Sequence, residues 1–148
     1  MKKSEARVSQ YLLDTNVISE TARPQPDAGV LRWLSQLSAL RLPAVGIYEL
    51  ASGIQRLPAG KKRAFLEEWL AELLASDCDV LPFDRAAALT CAALESEARR
   101  RGRPIDLRDL LILAIAKSQD LGVATRNVDH FRGFGVPVYD PFNDVQIL

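Results

Sequence analysis

The sequence is poor in the residues from which many enzyme sites and secreted folds are built. Among 148 residues it has one histidine, His130, and two cysteines, Cys78 and Cys91. Two cysteines cannot form a disulfide framework or a four-ligand zinc site, and a single histidine argues against a Ser-His-Asp triad or a histidine-rich metal site. We therefore expect both cysteines to be reduced core residues of a cytoplasmic protein.

An excess of one charge and a long hydrophobic run are also missing. The 19 Lys and Arg residues balance the 19 Asp and Glu residues. This balance argues against a protein that coats nucleic acid through bulk charge, but it leaves room for a local basic rim. The longest apolar run, Leu110–Ala116, is far shorter than the roughly 18–20 residues of a membrane span. Met1–Glu5 carries basic residues with no apolar stretch behind them, so we expect no signal peptide.

The chain does contain a regular alternation of short apolar strands and longer helical segments. Tyr11–Leu13 is predicted to be a buried strand, and Lys61–Ala75 an amphipathic helix. Leu110–Ala116 belongs to a helix that is apolar on all sides and therefore buried. The alternation predicts an α/β fold with a parallel sheet and helices on both faces. The length fits one domain, which we place at residues 10–148 behind a polar tail at residues 1–9.

The sequence has no P-loop, GxGxxG, HExxH or GxSxG motif. The remaining candidates for catalytic groups are therefore carboxylates. Asp14 directly follows the first strand, where it fits either an Asx-turn or helix cap, or an oxygen ligand for Mg²⁺ or Mn²⁺. Asp106 and Asp109 open the apolar helix, and one cap is enough, which leaves the other for a site. Taken alone, Glu49 is predicted to be a solvated helix residue and His130 a surface or loop residue.

A basic run precedes Asp109 in the sequence. Arg99–Arg101 and Arg103 lie at the predicted end of a helix. Compensation of the helix dipole would need only one or two of these charges. A phosphate-binding rim is therefore a second interpretation of the run.

Five segments between about residue 10 and residue 142 resemble, in order and spacing, the PIN-domain ribonucleases. The resemblance is closest to the VapC toxins of bacterial toxin–antitoxin pairs, in the FitB-like branch. Each motif is weak alone, and the five together are a strong signal. The segments are LLDTNVISE at Leu12–Glu20, YELASGI at Tyr48–Ile54, GRPI at Gly102–Ile105 with DLLILA at Asp109–Ala114, ATRN at Ala124–Asn127, and PVYDPF at Pro137–Phe142.

The resemblance implies a PIN domain, with three α/β/α layers around a mostly parallel, twisted sheet of about five strands. It also implies RNA cleavage that depends on Mg²⁺ or Mn²⁺. The implied metal ligands are Asp14, Asp109 and Glu49, and Asn127 holds a fourth catalytic position. Thr15 and Asn16 are expected to hold Asp14 in place.

One position departs from the fullest family pattern. The fourth residue is often Asp, and here it is Asn127, so the cluster has one negative charge fewer. The lower charge disfavours tight binding of a second metal ion. Asp129 is near enough in sequence to compensate.

The resemblance further implies the partners of a type II toxin. These are an RNA substrate, a cognate antitoxin of the VapB or FitA type that blocks the acidic pocket, and a second copy of this chain within a larger toxin–antitoxin complex. Operator DNA would be bound only through the antitoxin, and no membrane is involved. The apolar helices near residues 30–75 could supply the dimer interface. The expected RNA phosphate contacts are Arg99, Arg100, Arg101, Arg103, Arg108 and Arg126.

Two other interpretations compete with the toxin. One is a PIN-like module that binds RNA or protein and is catalytically weak or inactive, with Asn127 as the first sign of lost catalysis. The other is a receiver-like signalling domain, which needs paired acids after its first strand and a Lys after its fifth. This chain has one Asp after the first strand and no Lys from residue 118 to the end, so the receiver is the weaker alternative.

Overall fold

The structure, a computed structural model, describes residues 10–147, and the predicted polar tail at residues 1–9 lies outside them. The described part has six strands and seven helices. The strands are β1 (Tyr11–Leu13), β2 (Leu40–Pro43), β3 (Cys78–Leu81), β4 (Gly122–Ala124), β5 (Val138–Asp140) and β6 (Val145–Ile147). The helices are α1 (Thr15–Ile18), followed by a 3₁₀ turn (Ser19–Ala22), α2 (Ala28–Ser35), α3 (Ala44–Gln55), α4 (Lys61–Ala75), α5 (Arg85–Arg100), α6 (Leu107–Ser118) and α7 (Val128–Phe131).

The six strands form one sheet in the order β3-β2-β1-β4-β5-β6. The first five are parallel, as expected, and β6 runs antiparallel to β5. In the middle of the sheet β1 lies between β2 and β4, so that Leu12 is opposite Arg41 on one side and Val123 on the other. The carboxyl ends of β1 and β4 are therefore neighbours, which is where a parallel sheet places its functional groups.

The sixth strand corrects the expected number of about five. After β5 the chain reverses in a four-residue turn in which Asp144 has a φ of 53°, a left-handed conformation that Asp tolerates better than most residues. The strand that follows has only three residues, two of them exposed. A run this short has too little periodicity to be detected in the sequence.

Alternation along β1 explains the three layers. Tyr11 and Leu13 belong to one apolar cluster, together with Val17 and Trp33 from the helices on that side. Leu12 belongs to the other, with α6 and Phe131. Because successive strand residues point to opposite faces, both faces of the sheet are covered by helices, and the predicted α/β/α arrangement is confirmed.

Helix α6 is the most deeply buried element, as its all-round apolar composition predicts. Its five consecutive residues from Ile112 to Ala116 are fully buried. Helix α4 has its predicted bounds, but its apolar residues do not all share one covered face. Trp69, Leu70 and Leu73 pack against the core, whereas Phe65 and Leu74 are exposed, because the core covers only the side of the helix that faces it.

The remaining composition-based expectations can be compared with the structure directly. Within residues 10–147 both cysteines are free, with Cys91 buried and Cys78 partly buried. Over the same residues, no helix combines the length and the apolar character needed to cross a membrane.

We expect Gly122→Ala to lower the free energy of unfolding by about 1–3 kcal/mol, the usual cost of overpacking a core. A Cβ at position 122 would lie 2.6 Å from Cε1 of Tyr11 and 2.9 Å from the Pro137 carbonyl oxygen. The Tyr11 ring cannot easily withdraw, because it packs against the rings of Trp33 and Tyr139. Denaturant-induced unfolding measures the effect.

The matched control is Gly53→Ala in α3, where an added Cβ would meet no atom within 4 Å. Alanine is the better helix former, so this variant should gain about 0.5–1 kcal/mol. Equal stabilities of Gly122→Ala and the wild type would contradict the close approach of β4 to Tyr11.

Candidate active site

Asp14 is a buried carboxylate at the end of β1. Its side chain caps α1 by accepting a hydrogen bond from the Thr15 backbone N–H at 2.8 Å. Its Oδ2 accepts two more, from Thr125 Oγ1 at 2.8 Å and from Asn16 Nδ2 at 3.3 Å. Burial raises the pKa of Asp14, and the hydrogen bonds from Thr125 and Thr15 oppose that rise. The cap that the sequence suggested is therefore present, and it holds a carboxylate in place at the centre of the sheet edge.

Thr125 is the residue of this site that sequence reasoning missed. It is fully buried just after β4, and its hydroxyl group donates to Asp14 while accepting from the Asn127 backbone N–H at 3.0 Å and Asn16 Nδ2 at 3.4 Å. Asn16 Oδ1 in turn accepts from the Arg126 backbone N–H at 3.1 Å. This network ties the end of β1 to the end of β4. The residue in the sequence that could have indicated this network is the threonine of the ATRN segment.

Glu49 comes from α3 and is not the solvated residue that its helix position alone suggested. Its side chain is 20% exposed, with Oε2 lying 3.9 Å from Nη1 of Arg108. Within residues 10–147, Oε1 of Glu49 is the buried side-chain oxygen or nitrogen atom that has no hydrogen-bond partner. Burial raises the pKa of Glu49, as do the charges of Asp14 and Asp109, while Arg108 opposes the rise.

Asp109 lies in the first turn of α6. As expected, only one of the two acids at this helix end, Asp106, serves as the cap. Asp106 caps the helix by accepting from the Arg108 backbone N–H at 3.0 Å. Asp109 instead lies 3.0 Å, through Oδ2, from Nδ1 of His130. Burial raises the pKa of Asp109, and the contact with His130 opposes the rise. His130 is exposed, as predicted, but its contact with an acid of the site was not foreseen.

The three acids approach one another from three separate elements. The charges of Asp14 and Asp109 raise the pKa of Glu49, and the charge of Asp109 raises that of Asp14. In the described residues, no three Asp, Glu, His or Cys side chains are arranged as a set that could hold a metal ion. The donor chemistry nevertheless fits a divalent cation, because carboxylate oxygens are the ligands that Mg²⁺ and Mn²⁺ prefer. The unpartnered Glu49 Oε1 is the kind of buried acceptor that a cation would satisfy.

The fourth position is less closely joined to this cluster. Asn127 is exposed, and within residues 10–147 no hydrogen bond links its side chain to Asp14, Glu49 or Asp109. Asp129, which the sequence offered as a compensating charge, has a side chain that is 84% exposed and pairs with Arg132 at 2.9 Å. In this structure the Asp129 carboxylate is therefore directed to solvent rather than to the three acids.

The arginines expected to contact RNA fall into different environments. Arg101 and Arg103 hold the turn at 132–134: Arg101 donates to the Gly133 carbonyl oxygen and Arg103 to that of Arg132. Both guanidinium groups also lie over the Phe134 ring, at 5.3 and 4.9 Å. The other four are Arg99, paired with Glu95, Arg100 at the end of α5, Arg108 beside Glu49, and Arg126 stacked on Phe142 at 3.9 Å.

Comparison with known proteins matches this architecture to one family. The family model described as PIN domain matches residues 11–135. The chain is 40% identical to Toxin FitB of Neisseria gonorrhoeae, over 90% of this chain and 99% of FitB. It is 36% identical to VapC ribonuclease Y4jK of Sinorhizobium fredii, over 88% of this chain and 96% of that protein. The crystal structure of FitAcB from Neisseria gonorrhoeae superposes with a TM-score of 0.82 at 39% identity, over 89% of this chain and 98% of that chain.

The mostly parallel sheet between two helical layers is thus matched over nearly the whole chain. The chain belongs to the PIN-domain family. Within that family it falls in the FitB-like branch of the VapC toxins, as its motifs indicated.

We expect the metal-free protein to lose stability as the pH rises. The pKa values of Asp14, Glu49 and Asp109 are all raised in the folded state, so the folded protein keeps protons that the unfolded chain has released. The resulting stabilisation is present at low pH. It is lost as the pH rises from the ordinary carboxyl pKa values of 3.8 and 4.5 through the raised values. Thermal midpoints measured against pH in EDTA test this expectation.

The variant that isolates this effect is Glu49→Gln, which removes one of the three charges. Its midpoint should exceed that of the wild type above the raised pKa values, and the difference should shrink toward acid pH. A difference that does not change with pH would contradict a raised pKa of Glu49 in the folded protein.

We also expect Thr125→Val to destabilise the protein by about 1.5–3 kcal/mol, the range for a hydrogen bond to a charged group. Valine keeps the shape but cannot donate to Asp14 Oδ2. Thr125→Ser keeps the hydroxyl group and loses only a methyl group, so it is the control. The free energy of unfolding at neutral pH decides the question, and equal losses for both variants would refute a role for the hydroxyl group.

Proposed function

We propose that this protein is the toxin of a type II toxin–antitoxin pair and acts as a metal-dependent endoribonuclease that cleaves RNA phosphodiester bonds. The observation that carries the proposal is the approach of Asp14, Glu49 and Asp109 from three elements, with a buried Glu49 oxygen left without a partner. Buried carboxylates that repel one another are costly unless a cation compensates them. The names of its relatives, a toxin and a ribonuclease, support the same class of activity.

Mg²⁺ or Mn²⁺ would be held by Asp14 and Asp109 directly, and by Glu49 directly or through water. When bound, such a cation lowers the pKa of its water and polarises the phosphodiester.

The side chains around the acids would each have a separate task. Thr15, Asn16 and Thr125 hold the Asp14 carboxylate in one orientation. Where Glu49 reaches the cation only through water, it would accept a proton from the attacking water, because its raised pKa favours proton uptake. Asn127 would orient water or contribute to a second ion site.

The predicted phosphate contacts divide into those beside the acids and those further away. Arg108 and Arg126 flank the site and would contact the phosphates nearest the cut. Arg99 and Arg100 would extend the basic rim. Arg101 and Arg103, which hold the 132–134 turn, would meet RNA only with the N–H groups that this turn leaves available.

A cognate antitoxin of the VapB or FitA type would neutralise the toxin by covering the acidic pocket, and operator DNA would be reached through the antitoxin alone. A second copy of this chain would pack through the apolar helices of residues 30–75. The protein would act in the cytoplasm, where its RNA substrate is made.

A PIN-like module without catalysis is the second candidate. Two observations favour it: the acids of the described residues are not arranged as a metal-holding set, and an amide, Asn127, stands at the fourth position. Such a module would bind RNA or protein without cutting.

The test is cleavage of end-labelled total RNA by antitoxin-free protein, with Mg²⁺ or Mn²⁺ against EDTA. We expect cleavage only with metal, and a loss of more than about 100-fold in Asp109→Asn, because even residues that only orient metal ligands are worth 10–100-fold. Asp129→Asn, which changes an exposed carboxylate two positions from Asn127, should cut like the wild type.

Two outcomes would contradict the proposal. Cleavage that survives Asp109→Asn would place the reaction elsewhere in the molecule. The absence of cleavage by protein that unfolds cooperatively, with metal present, would favour the non-catalytic module.

A further inference from the structure

An exposed aromatic ring adjoins the acidic cluster and is not used by the chemistry proposed above. Tyr48 lies on α3 directly before Glu49 and is 58% exposed. Isolated apolar side chains at a protein surface are ordinary. Tyr48 differs from exposed rings such as Phe65 and Phe83 in being the sequence neighbour of an acid of the site.

An arginine covers one side of that ring. The guanidinium carbon of Arg108 lies 5.7 Å from the centroid of the Tyr48 ring, and its Nη1 lies 3.9 Å from Glu49 Oε2. Arg108 directly precedes Asp109 on α6. The Tyr48–Arg108 pair therefore bridges α3 and α6 at the rim of the site, with each partner next to one of the acids.

The other arginine–ring contacts of residues 10–147 differ from this one. Arg101 and Arg103 both lie over Phe134, which is 2% exposed. Arg126 lies over Phe142, which is partly buried among core residues. Within the described residues, Tyr48 is the ring that is both paired with an arginine and open to a ligand.

Aromatic rings and guanidinium planes are the surfaces on which proteins stack unpaired nucleobases. Bases within a duplex have their faces covered by neighbouring bases, so a stacking surface selects single-stranded segments. The positive charge of Arg108 suits the phosphate that accompanies the stacked base.

We propose that Tyr48 and Arg108 form a platform that stacks an unpaired nucleobase of single-stranded RNA beside the phosphate to be cut. The proposal rests on the nuclease function above and adds a binding subsite to it: a surface for one unpaired base next to Glu49 and Asp109. The platform binds substrate and takes no part in proton transfer.

The test uses the full-length Asp109→Asn variant as the parent, so that RNA stays intact, and measures fluorescence anisotropy of a labelled single-stranded RNA in Mg²⁺. Adding Tyr48→Ala should weaken binding about tenfold, the effect of losing one stacked base. Adding Tyr48→Phe should leave affinity within about twofold, because the ring remains. Adding Phe83→Ala, which removes another exposed ring, should change nothing.

Two further readouts separate stacking from other effects. A 2-aminopurine base placed in the strand should lose fluorescence on binding to the parent but not to the Tyr48→Ala protein. The same sequence as a duplex should bind with an affinity that Tyr48→Ala leaves unchanged. Thermal unfolding of each variant identifies any that fails to fold, and Tyr48→Phe then still reports on the ring.

Unchanged affinity for single-stranded RNA in Tyr48→Ala would overturn the platform. So would a loss confined to antitoxin binding or to self-association, which would assign the ring to a protein partner instead. If the wild type cleaves RNA with an Asp109-dependent rate and Tyr48→Ala leaves KM unchanged, the platform is wrong and the nuclease stands. If Tyr48-dependent binding occurs without any cleavage, Tyr48 stacks a base but no phosphate is cut beside it, and the nuclease function is wrong.

Discussion

The hydrogen bond from Thr125 to Asp14 is the contact on which the rest of the site depends. It joins the ends of β1 and β4, two strands that are 111 residues apart in sequence and adjacent in the sheet. A buried carboxylate is costly unless donors satisfy it, and here a hydroxyl group, a backbone N–H and an amide do so together. With Asp14 held in one orientation, α3 and α6 need only bring Glu49 and Asp109 to the same edge.

The cluster of acids at this edge of the sheet lowers the stability of the fold. Burial raises the pKa of all three acids, the charges of Asp14 and Asp109 raise that of Glu49 further, and one oxygen of Glu49 has no donor. The surrounding fold tolerates this because α6, whose first turn carries Asp109, is anchored by five consecutive fully buried residues. Stability supplied by the core thus permits an arrangement that is unfavourable on its own.

Patterns of residues predicted the fold well, because periodicity reports burial directly. The alternation along β1 and the all-apolar stretch of α6 were sufficient for the sheet and its two helical layers. The motif resemblance supplied Asp14, Glu49 and Asp109 as the candidate acids. The contacts of Thr125 and His130 could not be predicted. Neither residue belongs to a periodic pattern, and each contacts a residue that is distant in sequence, 111 positions away for Thr125 and 21 for His130. The exposure of Phe65 depends on which elements pack against α4, and the local sequence pattern does not contain that information.

The hydrogen bonds from Arg101 and Arg103 to the 132–134 turn reduce the number of phosphates that the basic run can bind. Arg101 also pairs with Glu97, and both guanidinium groups use N–H donors on carbonyl oxygens of the turn, so less charge and fewer donors are left for phosphates. Each phosphate neutralised on a single strand contributes about −0.7 to the slope of log affinity against log salt concentration. A toxin built this way would hold its RNA with a shallower dependence on ionic strength than the number of arginines in the basic run suggests.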